Sequence, residues 1–116
     1  MNNYISYIYN TQMVVELTKL KSGEKKFQAV FFDDKTKKKL KTVKFGARGY
    51  SDFLHHKDPA RMKKYVIRHQ KREDWTRAGK YTPGFWSKHL LWSKPSFTDA
   101  LKLTQSKVGE RIVYKK

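Results

Sequence analysis

Alternation of apolar and polar positions dominates the first 45 residues and predicts β-strands. The stretch 4–20 is rich in β-branched and aromatic side chains, which fit a pleated sheet. The apolar positions that the alternation assigns to one face in each segment are Val15, Leu17, Phe27, Ala29, Phe31, Val43 and Phe45. A turn at Gly23 and a polar run over 33–39 separate the segments, and both are too short for a crossover connection. The pattern therefore predicts three antiparallel strands joined by two hairpins.

The period changes to that of a helix after residue 57. Asp58-Pro59 supplies an N-cap followed by proline at the first helical position, and we expect this helix to end near residue 73 or 74. Its apolar stripe consists of Met62, Tyr65, Val66 and His69.

Two further helices and a strand follow. Thr82-Pro83 begins a short helix that Pro95 stops, and a third helical stripe begins after Ser96 and closes at Gly109. Alternation over 110–116 indicates a final strand. We therefore predict one α+β domain covering 1–116, β-rich over 4–45 and helical over 58–105. In this fold a small N-terminal antiparallel β-meander precedes two or three short helices.

Composition narrows the function. The chain has 27 lysines and arginines against 10 acidic residues, a formal net charge of +17, which calls for polyanions or acidic protein surfaces as partners. Apolar residues make up 38% and aromatics 15%, too much for a disordered basic tail. The lack of cysteine excludes disulfides and zinc–thiolate sites. No apolar run approaches the roughly 18 residues of a membrane span, and Met1–Asn10 does not resemble a secretory signal.

The helix after Asp58 is predicted to carry one band of positive charge away from its apolar stripe. The band consists of Arg61, Lys64, Arg68 and Lys71 at helical spacing, with Arg72 beside them. Cations spaced in this way can meet successive phosphates or a row of carboxylates. The alternative is an ordinary solvated outer face.

A second basic cluster occupies the polar run and the start of the third strand. Its predicted polyanion-binding residues are Lys35, Lys37, Lys38, Lys39 and Lys41. They could form a polycationic finger, or they could protect a sheet edge against strand addition, and both interpretations can hold at once.

Aromatic side chains are interleaved with the basic residues of the helical half. They are Trp75, Tyr81, Phe85, Trp86 and Trp92. Exposed rings could stack on unpaired bases, but large rings more often fill a core, and we favour that interpretation.

The sequence offers little support for catalysis. His55 and His56 with Asp58 could begin a metal site, but no third ligand has the required spacing, so we expect hydrogen bonds at a loop-to-helix corner. No nucleophile elbow or phosphate loop is present. We therefore expect a non-enzymatic protein without a metal, cofactor or small-molecule substrate.

Several motifs occur in order along the chain. They are F-G-A-R-G-Y-S-D-F (45–53), H-H-K-D (55–58), Y-V-I-R-H-Q-K-R-E-D-W (65–75), T-P-G (82–84) and L-W-S-K-P (91–95). Together they resemble a family of small basic proteins encoded by large nucleocytoplasmic DNA viruses. The resemblance covers about residues 27–101, departs from the family pattern at His55, and carries no catalytic residue to this chain.

The resemblance implies a viral setting, in which small cationic proteins package genomes or serve as minor structural subunits. The expected function is a basic structural protein of the virus particle, a minor capsid or inner virion component that docks on acidic protein surfaces or the genome. The alternative is a packaging protein that binds nucleic acid without sequence specificity. Expected partners are capsid or other virion proteins, or DNA. The expected location is the virion, or the host cytoplasm or nucleus during assembly.

The two alternatives predict different surfaces. A particle subunit should expose an apolar patch for its neighbours, whereas a packaging protein should carry charge on most faces and bury its rings.

Overall fold

A four-stranded sheet forms one layer of the fold in the computed structural model, which describes residues 12–115. The strands are β1 (Met13–Lys19), β2 (Lys25–Asp33), β3 (Lys39–Ala47) and β4 (Arg111–Lys115). Their order is β3-β2-β1-β4, so β3 and β4 lie at the two edges. The first three strands form an antiparallel meander, and β4 pairs parallel to β1. The predicted meander and final strand are confirmed, while the predicted strand residues before 12 lie outside the described part.

Four α-helices follow the meander. They are α1 (Phe53–His56), α2 (Pro59–His69), α3 (Pro83–Trp86) and α4 (Phe97–Val108), with a 3-10 turn at Arg77–Gly79 and a π-helical turn at Ser87–Leu91 directly after α3. The predicted N-caps are confirmed, because the side chains of Asp58, Thr82 and Ser96 each accept a hydrogen bond from a backbone N–H in the first turn. The architecture is therefore α+β. No helix within residues 12–115 has both the length and the apolar character needed to cross a bilayer.

The core lies between one face of the sheet and the helices that follow. The sheet contributes the predicted face residues, all of them buried, and β4 adds Ile112. The helical layer contributes Phe85, Trp86, Leu90, Leu91, Ala100 and Val108. Trp86 lies at the centre, with its ring centroid 5.6 Å from that of Phe45 and 6.0 Å from that of Phe31.

Two boundaries differ from the sequence prediction. The basic helix ends at His69, because the Glu73 carboxylate accepts hydrogen bonds from His69 and Trp75 and the chain turns away there. Strand β3 continues to Ala47, beyond the predicted break at Gly46. Gly46 has φ +80°, and a Cβ at this position would lie 2.8 Å from Leu91 Cδ1, so only glycine lets the strand approach the helical layer here.

Candidate polyanion-binding surface

The hairpin between β2 and β3 presents the first basic cluster at a well-ordered turn. Asp33 Oδ1 accepts hydrogen bonds from the backbone N–H groups of Lys35 (2.9 Å) and Thr36 (3.0 Å). The Thr36 bond is the main reason that the pKa of Asp33 lies below its usual value. Lys37 adopts the left-handed conformation with φ 64°. The turn therefore holds its lysine-rich backbone in one conformation while every lysine from 35 to 39 remains exposed.

The edge strand β3 extends this basic region along the sheet. Lys39, Lys41 and Lys44 are exposed on a strand that, within residues 12–115, pairs with β2 on one side only. The location of β3 at an edge of the described sheet confirms the premise of the edge-protection interpretation. All three lysines are accessible to a ligand, although Lys41 and Lys44 point to opposite faces of the strand, so the binding interpretation stays open as well.

Helix α2 carries the second basic cluster and is attached through one side chain. Tyr65 is the only buried residue of the helix, and its ring stacks on Trp92 with centroids 4.4 Å apart and planes 5° from parallel. The remaining stripe residues Met62, Val66 and His69 are half-buried. The helix therefore leaves most of its surface to solvent.

The five cations of the predicted band do not lie together on one face of helix α2. Arg61 and Arg68 line a cleft beside the helix, and the lining of that cleft does not include Lys64. At about 100° per residue, the two arginines lie about 40° and 60° from the buried Tyr65, whereas Lys64 lies about 100° away. Lys71 and Arg72 lie beyond the end of α2, in the turn that follows it, so the single helical band was wrong at these two positions.

The structure does not bring the two basic clusters together. The turn lies at the start of β3, whereas Arg61 and Arg68 share a cleft with Gly46 and Ala47 at its end. Strand β3 has nine residues, and at about 3.3 Å per residue its ends are about 26 Å apart. The clusters therefore mark the two ends of one basic edge.

Few of these cations are neutralised. All ten predicted polyanion-binding residues are exposed. Lys37 Nζ lies 3.3 Å from Asp34 Oδ1. Leaving Lys35 aside, the other eight make no ion pair with the described part of the chain, and they are Lys38, Lys39, Lys41, Arg61, Lys64, Arg68, Lys71 and Arg72.

Other cations serve the fold, and sequence analysis did not identify them. The Arg48 guanidinium donates to the carbonyls of Leu20 (2.8 Å), Gly23 (2.7 Å), Lys25 (3.1 Å) and Ser22 (3.3 Å), and so fixes the β1–β2 turn. Arg77 donates to the last carbonyls of α4, at Ser106 and Lys107. These partners lie 23 to 30 residues away in the sequence, so no local spacing could have revealed them.

The aromatic side chains of the helical half mostly serve the core, as predicted. Phe85 and Trp86 are completely buried, and Trp75 is half-buried. Trp92 lies between Tyr65 on one side and His56 on the other, whose ring centroid is 5.2 Å away. Tyr81 is the exception, because it is 38% exposed while it packs on Phe31. Base stacking by Phe85, Trp86 or Trp92 therefore finds no support.

Four large apolar side chains are exposed among the described residues. They are Leu40, Tyr50, Ile67 and Tyr81. They lie on β3, in the loop before α1, on α2 and in the loop before α3.

Of the two histidines beside α2, His56 makes a side-chain hydrogen bond predicted for this corner. His56 Nδ1 accepts from the backbone N–H of Asp58 at 2.9 Å, while His55 is exposed. Within residues 12–115, no group of three or more histidine, aspartate or glutamate side chains is placed to hold a metal ion.

A model of a protein family of unknown function (DUF5754) matches residues 15–69, from β1 to the end of α2. No curated protein and no solved structure matches the chain. The matched segment contains the first basic cluster and the residues Arg61, Lys64 and Arg68 of the second, and it gives no information on what they bind.

Proposed function

We propose that this protein is a non-enzymatic polyanion-binding protein whose ligand is nucleic acid, bound without sequence specificity. The observation that supports this proposal is the set of eight exposed cations at the two ends of one basic edge that make no ion pair with residues 12–115. Charge of one sign that is not neutralised within the molecule attracts a polyanion over a long range.

The arrangement suits contacts with the phosphate backbone and not with bases. Lysines on an exposed edge neutralise phosphates and release counterions, which makes affinity depend steeply on salt. An edge of about 26 Å corresponds to about seven or eight phosphates along one strand. Because the rings beside the basic residues are mostly buried or covered, they supply no platform for bases.

The test is a titration of duplex DNA at several salt concentrations with a triple variant of the edge, Lys38→Gln, Lys39→Gln and Lys41→Gln. Each lost phosphate contact should lower the slope of log K against log[salt] by about 0.9, so the variant should lose up to about 2.7. The matched control is Lys94→Gln, Lys102→Gln and Lys107→Gln, which removes the same charge from exposed positions in the helical half.

Two results contradict the proposal. One is a dissociation constant for the unaltered protein weaker than about 100 μM at physiological salt, the loose end of nonspecific binding. The other is an equal loss of slope in the edge variant and the control, which would mean that net charge alone attracts DNA.

A second candidate is the structural protein of a large DNA virus particle, a minor capsid or inner virion component bound to acidic surfaces of capsid or other virion proteins. The ordered motifs between 45 and 95 favour it. It places the protein in the virion, and in the host cytoplasm or nucleus during assembly. Mass spectrometry of purified particles tests this candidate, since absence from the particles contradicts it.

A further inference from the structure

A cleft of about 400 Å³ separates helix α2 from the open end of the β2–β3 hairpin, where β2 begins and β3 ends. Gly46 and Ala47 form one wall, the loop that contains Ser51 and Asp52 forms another, and α2 forms the third. This volume falls within the usual range of small-ligand sites. The sequence prediction did not include the cleft, because its walls come from segments that are far apart in the chain.

Positive charge converges on this cleft from two elements. Arg61 and Arg68 reach it from α2, and Lys25 reaches it from the start of β2. None of the three makes an ion pair with residues 12–115. Because both arginines lie within about 60° of the buried Tyr65, the packing that attaches α2 also directs them to the cleft.

The carboxylates that line the cleft are already engaged. Asp52 Oδ2 lies 2.7 Å from Lys26 Nζ, and its Oδ1 accepts from the N–H of His55 at 3.1 Å. Glu73 accepts from Trp75 Nε1 at 3.0 Å and lies 3.2 Å from His69 Nδ1. Lys25, Arg61 and Arg68 therefore keep no carboxylate partner among residues 12–115. Four lysines and arginines line the cleft against two carboxylates, so positive charge remains in excess for a ligand.

One hydroxyl beside the cleft has no partner but adds no contact to a ligand. Ser51 lines the cleft, and its Oγ is buried without a hydrogen-bond partner among the described residues. Because this oxygen is buried, a ligand in the open cleft does not reach it. Tyr65 carries no charge that would repel an anion, because burial raises the pKa of its hydroxyl above the usual value.

The rings of Tyr65 and Trp92 in the cleft do not offer a stacking surface for a base. Tyr65 is covered by Trp92 on one side and by His69 on the other, with centroids 4.4 and 4.2 Å away. Trp92 is covered by Tyr65 and His56. Tyr50, 75% exposed, lies at the rim. The cleft thus offers charge and hydrogen bonds but no aromatic sandwich.

We propose that this cleft binds a single phosphate group, as a monoester or a diester, between Arg61, Arg68 and Lys25 and without recognition of the attached base. Arginine suits this role because its planar guanidinium can bind two phosphate oxygens at once. The identification of the natural ligand as a nucleic-acid phosphate rests on the proposed function, whereas the site itself does not.

Isothermal titration at low salt tests the site with inorganic phosphate, AMP, CMP and adenosine. Phosphate, AMP and CMP should bind with affinities within about threefold of one another, and adenosine should not bind. Arg61→Gln and Arg68→Gln should each weaken AMP binding by at least about tenfold, since each removes a charge-assisted contact. Lys64→Gln lies between them on the same helix and removes the same charge away from the cleft, so it should change the affinity by less than about threefold.

Each other outcome overturns the site. Adenosine that binds as tightly as AMP would show a base pocket. Equal losses of AMP affinity in all three variants, or no saturable binding, would show only diffuse electrostatic attraction without a defined site. All three residues are exposed, so equal melting temperatures check that the variants fold. If duplex DNA binds but AMP does not, the site is wrong and the proposed function stands. If AMP binds but DNA does not, the site stands and the proposed function is wrong.

Discussion

The acidic side chains explain at the level of single residues why so much positive charge is left over. Asp52 and Asp58 cap helices α1 and α2, Asp33 closes the β2–β3 turn, and Asp74 binds the backbone N–H and the hydroxyl of Thr76. These carboxylates accept from backbone groups, and Asp52 is also bonded to a lysine. Local structure therefore uses these four acids, and eight of the ten predicted polyanion-binding residues make no ion pair with residues 12–115.

Arg48 is a cation that stabilises the fold, in contrast to exposed cations such as Lys71. We expect Arg48→Lys to lower the free energy of unfolding by about 2 kcal/mol although the charge is kept, because an ammonium cannot reach four carbonyls as the guanidinium does. Urea denaturation measures the change. Lys71→Gln loses its charge on an exposed turn and should stay within about 0.5 kcal/mol. A larger loss of unfolding free energy for Lys71→Gln than for Arg48→Lys would show that Arg48 is not the structural cation.

Buried histidines should make the fold sensitive to acid. His89 is 4% exposed, its Nε2 donates to the Trp75 carbonyl at 2.8 Å, and its buried Nδ1 has no partner among the described residues. Burial lowers the pKa of His89 below 6.5, and burial likewise lowers that of His56. The unfolded chain therefore binds more protons, so stability is fully present above about pH 6.5 and falls as the pH drops below it.

Urea denaturation at several pH values between 7.5 and 5 checks this expectation. One extra proton on the unfolded chain gives a slope of at most about 1.4 kcal/mol per pH unit. His89→Gln can keep a donor toward Trp75 but cannot titrate, and it should flatten part of the slope. His55→Gln, at an exposed position, should leave the slope as it is. An equal slope in the unaltered protein and His89→Gln would contradict the argument.

At the level of elements, helix α2 is held by a column of four rings. His56, Trp92, Tyr65 and His69 follow one another with centroid distances of 5.2, 4.4 and 4.2 Å. Because Tyr65 is the single buried residue of α2, this column is the main attachment of the helix. The phosphate site proposed above depends on the same attachment, since α2 supplies both arginines.

Tyr65→Ala should therefore cost about 3 kcal/mol in the free energy of unfolding, as for other buried aromatic residues. It should also raise hydrogen exchange in α2 more than in α4, because α4 packs through Ala100, Thr104 and Val108. Tyr65→Phe keeps the stacked ring and serves as the control. Equal exchange increases in α2 and α4 would show that the column does not hold α2 specifically.

The sequence predicted most elements, because the signals for them are local. Alternation located the first three strands, and Asp58, Thr82 and Ser96 marked three helix starts. The cleft could not be predicted, because Lys25 and Arg61 reach it from segments far apart in the chain. The end of α2 was predicted four or five residues too late, although the hydrogen bonds of Glu73 with His69 and Trp75 are local. The basic residues were recognised from the sequence, but their division between cleft, edge and turn required the tertiary structure.

For the whole molecule, the net charge of +17 lowers the stability of the folded state. Leaving Lys35 aside, five ion pairs join a lysine or arginine to a carboxylate among the described residues, and two of them are 3.7 and 3.9 Å long. Repulsion between like charges opposes the compact state and weakens as ions screen it.

Added salt should therefore stabilise the protein. Raising NaCl from about 20 mM to about 500 mM shortens the Debye length several-fold and should raise the melting temperature by several degrees. Differential scanning calorimetry measures the shift, with sorbitol of equal osmolality as the control for effects unrelated to charge. A lower melting temperature at high salt would mean that attractive ion pairs dominate instead.

The pairing of β1 with β4 has a consequence for synthesis on the ribosome. Val14 pairs with Phe32 of β2 on one side and with Arg111 of β4 on the other. One edge of β1 can therefore pair early in synthesis, whereas the other can pair only after α4 has been synthesised. Until then a nascent chain carries a bare strand edge beside an incomplete core, which is a known hazard for misassembly. A chaperone or a ribosomal pause would be of most use to this protein while residues 50–110 are being translated.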